Sequence, residues 1–565
     1  MVILSVGLRP HPSIDNLSKN LGIDLNPFGF CETKPLDTVS SSRPGIFVSG
    51  LFQSPKDIPD TVIQASAAAA AATGSLSKMR GSLEVKAVYP DEIDISGEEP
   101  KIGVFVCHCG INIASVVDVA AVSKYAGTLD NVVFSDHFLF TCSTGTQAEI
   151  KRIITEKSLN RVVIASCSPR THESLFQNTL QEAGLNKYLF EMTNIRDQDS
   201  WVHVIDKAAA TEKAKDLVRM SVARSRKLKP LYEIPVEIVQ KGLVIGGGAA
   251  GLTAALTLAE QGFETCLVEK SEQLGGNALT LYYTEDGASP AAYVEDLIQK
   301  VKTHPLITVC TDAIVSSYSG VVGNFRCEIN ENGDKKNVDC GIIIAATGGM
   351  EYKPTEYLYG QDKRIFTQKE LEQKLYNADD DIKKADTIVM IQCVGSRNEK
   401  RPYCSRVCCT SAIKNSLKIK KQNPDADIYV LYRDIRTFSF KEIYYKKARE
   451  AGVRFIRYDS SMQPAAKKDG SRLKISVYDQ NMNMEFNLET DMLILSAAIV
   501  PHPDSKKIAE TFKLPLDQDG FFMEAHLKLR PLDFPVSGIF LCGLAHGPKF
   551  ADESIAQAKG AVSRA

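Results

Sequence analysis

The sequence predicts an α/β chain of several domains. A Rossmann-like domain is interrupted by a second, inserted Rossmann-like domain, and both follow a cysteine-rich α/β domain and a partial repeat. Three observations carry this reading. A strand, a G-x-G-x-x-G turn and a helix succeed one another within Lys241 to Lys270. Apolar strand patterns ending in glycine turns return far downstream, at Cys340 to Gly349 and at Ser537 to Ala561. Between them, four of the fourteen cysteines crowd into Cys393 to Cys409, where a second nucleotide turn would be expected.

Bulk properties agree. A length of 565 residues exceeds what one core sustains, so several domains are expected. The composition, 44% hydrophobic and 24% charged, is that of an ordinary globular protein. With 67 basic against 69 acidic residues, no nucleic-acid or anionic-membrane partner is indicated. No apolar run approaches the roughly 20 residues of a membrane span. The opening "MVILSVGLRPHP" lacks a basic flank and a cleavage site. A cytoplasmic location follows, where clustered cysteines lean towards metal or redox chemistry.

The first element is the strongest. Leu243 to Ile245 read as a buried strand, and Gly246, Gly248 and Gly251 form the glycine turn, with Ala249 and Ala250 inside it. A helix from Leu252 to Glu260 and a strand from Thr265 to Val268 follow, ending at Glu269 and Lys270. Such glycines let the backbone approach a pyrophosphate at the helix N-terminus, and Glu269 is placed to bind a ribose. Next comes Leu274-Gly275-Gly276-Asn277, whose glycines permit close approach to a cofactor. Downstream stand the strand ending in Thr347-Gly348-Gly349 and the strand, turn and helix around Gly543. This ordered set resembles the FAD domain of two-dinucleotide flavoproteins of the thioredoxin reductase type, and the resemblance implies FAD. In that family an Asp follows the last glycine and holds the ribityl chain; here Leu544 follows Gly543.

Those flavoproteins insert an NAD(P)H domain between the halves of the FAD domain. The position is filled here from about Asp386 to about Tyr478, beginning with the strand "DTIVMIQC". Its turn reads "CVGSRNEKRPYCSRVCC" and lacks the glycine cradle, so no pyrophosphate site is expected at it. Core packing would scatter cysteines singly among apolar neighbours. A redox disulfide of Cys404 with Cys408 would leave Cys393 and Cys409 unexplained. Four thiolates can close a zinc site or hold an iron–sulfur cluster. Adjacent Cys408-Cys409 is unusual for zinc, and a cluster beside a flavin has an evident use, so Cys393, Cys404, Cys408 and Cys409 are read as ligands of a [4Fe–4S] cluster. Arg397, Arg401 and Arg406, if they face it, would favour its negative charge.

C-x10-C-x3-C-C on the second Rossmann-like domain of an FAD protein is similar to HdrA, the flavin-bearing component of heterodisulfide reductase. The stretches "KIGVFVCHCGINIASVVDV", "LFTCSTGTQ", "NRVVIASCSPRTHE" and "NIRDQDSWVH" resemble that family's N-terminal domain, and the likeness extends over about Lys101 to Ala565. Many members also carry C-x2-C-x2-C-x3-C ferredoxin segments, and this sequence has none. The resemblance implies an anaerobic multi-subunit complex, with ferredoxin-type iron–sulfur proteins and HdrB- and HdrC-like components, arranged as a dimer of heteromers.

In the N-terminal domain, predicted strands end at Cys107-His108-Cys109 and just before Cys167, and Cys142 follows the apolar "FLF". Parallel strands would bring Cys107, Cys109, Cys142 and Cys167 to one sheet edge. The alternatives are four small buried residues or a second [4Fe–4S] cluster, and the resemblance favours the cluster. His108 and His172 are outer candidates only.

One feature needs no family. "MVILSVGLRPHP" at Met1 repeats "MLILSAAIVPHP" at Met492, and "GIFVSGLFQSPKDIPDTVIQA" at Gly45 repeats "GIFLCGLAHGPKFADESIAQA" at Gly538. The chain thus begins with the closing segment of a second flavin domain. Strands at Val2 to Val6 and Ile46 to Val48, with an Ala-rich helix from Val62 to Ala72, are expected to need a partner. Either a partner protein supplies the missing half, or the start lies upstream. The expected organisation is residues 1–78 as partial repeat, 79–100 as linker, 101–235 as cysteine-rich domain, 236–385 as first FAD half, 386–484 as inserted domain and 485–565 as second FAD half.

Three functions fit this sequence. The first is an FAD- and [4Fe–4S]-bearing electron-transfer subunit of a heterodisulfide-reductase-like complex, with electron bifurcation at the flavin as an extension. The second is an NAD(P)H-dependent disulfide reductase using Cys404 and Cys408, and the third is a structural subunit stapled by zinc. Lys441 and Glu442 are candidate tuners of the flavin, the alternative being an ordinary solvated helix face.

Overall fold

The computed structural model describes residues 1–565 and divides into two compact units, Met1–Ser82 with Glu237–Ala565, and Leu83–Val236. No helix is long and apolar enough to cross a membrane. The amino-terminal segment carries α1 (Ile14–Leu21) and α2 (Ile58–Leu76). Left-handed Gly22 ends α1, and the Asp57 side chain caps α2 by accepting from Asp60 N at 2.9 Å. The apolar stretches Val2 to Val6 and Ile46 to Val48 do not become strands, contrary to expectation; Phe47 makes only an isolated bridge to Ser40. The physical reason is that strand geometry needs a neighbouring strand to satisfy its backbone groups: Val2 to Val6 has none, and Ile46 to Val48 meets only the short loop Val39 to Ser41, with Val48 N donating to Val39 O at 2.8 Å.

The unit Leu83–Val236 is built on β1 (Ile102–Cys107), β2 (Val132–Phe138), β3 (Arg161–Ser166) and β4 (Phe190–Asn194). These pair in parallel in the order β2-β1-β3-β4. β1 and β3 are buried along their whole length, which is why they read as unbroken apolar runs. The stretch 79–100, expected as a linker, is partly ordered against this unit: Ile93 N donates to Gly184 O at 2.8 Å and Ile95 is buried. Ile95 is its buried anchor, while Ile93 stays half exposed.

The other unit holds two five-stranded parallel sheets. The first uses β5 (Lys241–Ile245), β6 (Glu264–Val268) and β7 (Ile307–Cys310), joined by β8 (Ile342–Ala345), with α3 (Ala249–Glu260) between β5 and β6. The second uses β9 (Ile365–Thr367), β10 (Thr387–Val394), β11 (Asp427–Tyr432), β12 (Arg454–Arg457) and β13 (Met492–Ala497), with α4 (Cys408–Gln422) following β10. The chain then returns through α5 (Ser505–Phe512) to β14 (Ile539–Leu541) and α6 (Ala551–Arg564). The orders are β14-β8-β5-β6-β7 and β9-β13-β10-β11-β12. β14 completes the first sheet after the second has formed, so one sheet is inserted in the sequence of the other.

All three parallel sheets share one consequence. Strand order reverses at β1, β5 and β10, and the crevice of a parallel sheet opens at the carboxyl end of such a strand. Those three ends carry Cys107, Gly246 and Cys393.

Candidate functional site

At the end of β5 the glycines are required by space. Gly246 has φ +111°, and a Cβ there would fall 2.3 Å from Ala346 O. A Cβ on Gly251 would fall 1.8 Å from Gly246 O, so only glycine lets α3 start against its own turn. Gly248 caps α3 and bridges to Gly275, and a Cβ on Gly276 would meet Gly248 Cα at 3.2 Å. The two glycine turns therefore lie side by side. Buried Leu274 anchors the second turn, and Asn277 Nδ2 ties it to Gly349 O at 2.8 Å.

Glu269 accepts from Gly247 N at 2.6 Å and from Ser271 N at 2.9 Å. It borders a cavity of about 220 Å³ shared with Gly246, Lys270, Thr347 and His502. The buried Thr347 hydroxyl has no partner, an orphaned polar atom of the kind a ligand satisfies. Lys270 binds His502 Nε2 and Asp504, each at 2.9 Å, at the lip. Sequence reasoning missed His502 and Asp504; the signal was the repeated "PHP". Gly348 (φ +75°) keeps open space around its Cα, and Gly543 (φ +73°) donates its N–H to Gln557 Oε1 at 2.8 Å. Ala250 lies so close to Gly543 that a Cβ there would fall 2.8 Å from its methyl, while Ala249 opens α3. These residues fit a dinucleotide.

A second cavity, about 200 Å³, is lined by Asn277, Glu351, Leu544 and Phe550 on one side and by Cys408 and Ser496 on the other. Burial pushes the Glu351 carboxyl up to about 7. Lys441 also lines this cavity, pairing with Glu285 and lying 4.3 Å over the Phe550 ring. Glu442 is exposed and accepts from the Thr437 hydroxyl, so of the two candidate tuners only Lys441 lines this cavity.

The cysteine turn follows β10. Cys393, Arg397 and Arg406 all adopt left-handed backbone (φ +63°, +55° and +57°), a concentration of strain that marks functional loops. Cys408 and Cys409 form the first turn of α4, where free N–H groups favour anionic sulfur. Arg397 Nη1 lies 3.9 Å from Cys393 Sγ, and Arg406 N lies 3.4 Å from Cys404 Sγ. Arg401 does not face the cysteines: it donates to Gly395 O and stacks 4.2 Å over Tyr352. A hydrogen bond between the adjacent thiols pulls Cys409 down to about 7 and pushes Cys408 up. Buried Gln392, Ser396 and Thr410 carry side-chain polar atoms with no partner around this turn. The residues fit a group with several acceptors.

In the other unit, Cys107 Sγ accepts from Cys109 N at 3.2 Å and Thr141 N at 3.4 Å, so β1 and the loop before Cys142 meet. Arg196 Nη1 reaches Cys109 Sγ at 3.7 Å, and its charge also pulls on the Cys167 thiol that burial raises. The four cysteines thus share one end of the sheet. His108 faces away from them, its Nε2 2.9 Å from His137 Nδ1. Arg196 was missed by sequence, although it sits in "NIRDQD".

Fold and sites together define a flavoprotein-type oxidoreductase whose second nucleotide turn is rebuilt around cysteines. Residues 240–391 match the pyridine nucleotide-disulphide oxidoreductase family. A thioredoxin reductase structure from T. acidophilum is 16% identical, covering 57% of this chain and 97% of its own with a TM-score of 0.41. The A-type component of the H(2):CoB-CoM heterodisulfide,ferredoxin reductase of Methanothermobacter thermautotrophicus is 37% identical, covering 83% of this chain and 85% of its own. The A-type iron-sulfur component of a CoB–CoM heterodisulfide reductase of Methanopyrus kandleri is likewise 37% identical, with the same coverage. The chain belongs to the HdrA family of heterodisulfide reductase components.

Proposed function

We propose that the chain is the FAD- and [4Fe–4S]-carrying electron-transfer subunit of a heterodisulfide-reductase-type complex. The residues lining the cavities at Glu269 and Leu544 would hold FAD, and Cys393, Cys404, Cys408 and Cys409 would hold a cluster. Bound there, the flavin exchanges electrons in pairs or singly and the cluster carries one at a time. The observation that carries this reading is Cys408, which stands in the wall of the same cavity as Asn277, Glu351, Leu544 and Phe550.

The chain's own residues do the rest. The Gly246 turn presents backbone N–H groups at the start of α3 to a pyrophosphate. Glu269, at the wall of the cavity beside that turn, would accept from a ribose hydroxyl. Glu351, with a carboxyl near 7, can hold or release a proton at the cavity wall at neutral pH. Arg397 lends positive charge to Cys393. Cys107, Cys109, Cys142 and Cys167 hold a second cluster, with Arg196 beside it.

The relatives are named as parts of larger enzymes, and one is named for both a heterodisulfide and a ferredoxin. This supports partner subunits and a division of electrons between two acceptors. The test is the iron, acid-labile sulfide, zinc and flavin content of the isolated full-length chain prepared without oxygen. Eight irons and one FAD are expected. Zinc without iron would establish the staple, and FAD without metal would return the disulfide reductase to first place.

A further inference from the structure

The repeat read in the sequence is also a repeat in space. Helices α1 and α2 stand to the amino-terminal segment as α5 and α6 stand to the carboxy-terminal one. The isolated bridge Leu25–Cys31 recurs as Leu516–Phe522. Asn26 Oδ1 accepts from Phe28 N and Phe30 N, and Asp517 Oδ1 accepts from Asp519 N and Phe521 N. Gly50 (φ +66°) donates to Gln64 Oε1 at 2.8 Å, and Gly543 (φ +73°) donates to Gln557 Oε1 at 2.8 Å. A flavin-domain turn has been kept in a segment that has no glycine loop of its own.

The two copies face each other with the signature of a two-fold axis. Aligning the repeats makes Ile63 the counterpart of Ala556, and Ala67 the counterpart of Gly560. Ile63 O lies 2.9 Å from where a Cβ on Gly560 would be, and Ala67 packs against Ala556. Residue i of one copy thus touches residue j of the other, and j touches i, as in an isologous interface. The cavity between the copies, about 430 Å³, is lined by counterpart pairs: Lys56 with Lys549, Asp60 with Glu553, and Gln64 with Gln557.

What differs is the cover. Met492–Ala497, strand β13, is buried throughout and paired on both sides by β9 and β10. Its counterpart Val2 to Val6 leaves Val2 88%, Ile3 76%, Leu4 78% and Val6 84% exposed. Likewise β14 pairs with β8, whereas Ile46 to Val48 have no such neighbour. An apolar strand with unsatisfied backbone is a template for pairing. The carboxy-terminal copy shows what fills that place: a strand–glycine turn–helix half with an inserted parallel sheet.

We propose that residues 1–82 are the closing half of a second flavin domain, held in two-fold relation to the first. An opening half with its own strand–glycine turn–helix takes up Val2 to Val6 and Ile46 to Val48 as strands and would hold a second FAD at the Gly50 turn. This rests on the flavin reading of the first domain. The dyad already formed between α2 and α6 fixes where that opening half sits.

The test compares the native complex with one carrying Leu4→Asp, a change at an exposed side chain; Leu4→Ile serves as control. Expected is the loss of one of two FAD from Leu4→Asp alone, with the FAD bound at Glu269 remaining. Equal FAD content in all three preparations overturns the proposal while leaving the first flavin site intact. Absence of FAD from all three overturns both readings.

Discussion

Arg397 sets one guanidinium nitrogen 3.9 Å from Cys393 Sγ and another 2.7 Å from the Asp434 carboxylate. The acid aims the arginine, and the arginine brings positive charge to a sulfur that burial otherwise holds protonated. Arg397→Gln removes that charge and leaves Asp434 with Arg436 as its remaining cation. Iron retention should fall by roughly 10-fold or more, as for other residues that support metal ligands. A reductive titration followed by electron paramagnetic resonance should show the remaining cluster reduced at lower potential. Unchanged iron and potential would remove Arg397 from the site.

Gly251 tests the nucleotide turn. Gly251→Ala puts a methyl 1.8 Å from Gly246 O, so turn and helix must separate. The fold should lose about 1–3 kcal/mol, and because the relaxed turn no longer holds its backbone N–H groups in place, FAD should be released more readily than from wild type. Iron content, bound elsewhere, should not change. Ultrafiltration of the purified variant reads the released flavin directly.

Asp199 is fully buried with neither carboxylate oxygen hydrogen-bonded, and burial pushes its carboxyl up to about 6. The folded chain therefore keeps a proton that the unfolded chain releases near pH 4, and stability falls as pH rises from about 4 to about 6. Above that window the full penalty is present. Asp199→Asn should be more stable than wild type at pH 7, by up to about 3 kcal/mol. The advantage should vanish below pH 4. Thermal unfolding at both pH values measures it, and a variant less stable at pH 7 would show that the charge has an unseen partner.

Ala67, fully buried on α2, touches Ala556 on α6. Ala67→Leu leaves no room at that crossing and should weaken the attachment of residues 1–82 by about 1–3 kcal/mol. Limited proteolysis should then release this segment faster than from wild type, while flavin stays bound. Equal release rates would mean that the Lys559–Asp37 ion pair at 2.9 Å and its neighbours hold the segment without the helix contact.

Much of this arrangement was legible from residue spacing alone. The glycine turn was legible because its constraint is local: a Cβ has no room at Gly246 or Gly251, although it would have room at Gly248. The repeat was legible because both copies keep the same turn residues, down to Gly50 and Gly543. Side-chain direction was not legible. Arg397 and Arg401 stand four apart on one loop, yet left-handed backbone at Arg397 sends the first to Cys393 and leaves the second on Tyr352. Long-range pairs were also hidden. Lys270 with Asp504, and Lys441 with Glu285, join residues far apart in sequence whose meeting depends on sheet topology. Val2 to Val6 has the pattern of a strand, but pattern cannot say whether a neighbouring strand is present.

The pairing of α2 with α6 also changes how this molecule answers to dilution. Two separate copies that met through such helices would part as concentration fell. Here both helices belong to one covalent chain, so their encounter is governed by an effective concentration that tethers typically set in the millimolar range. The crossing therefore stays closed at protein levels where an ordinary dimer of equal affinity would be monomeric.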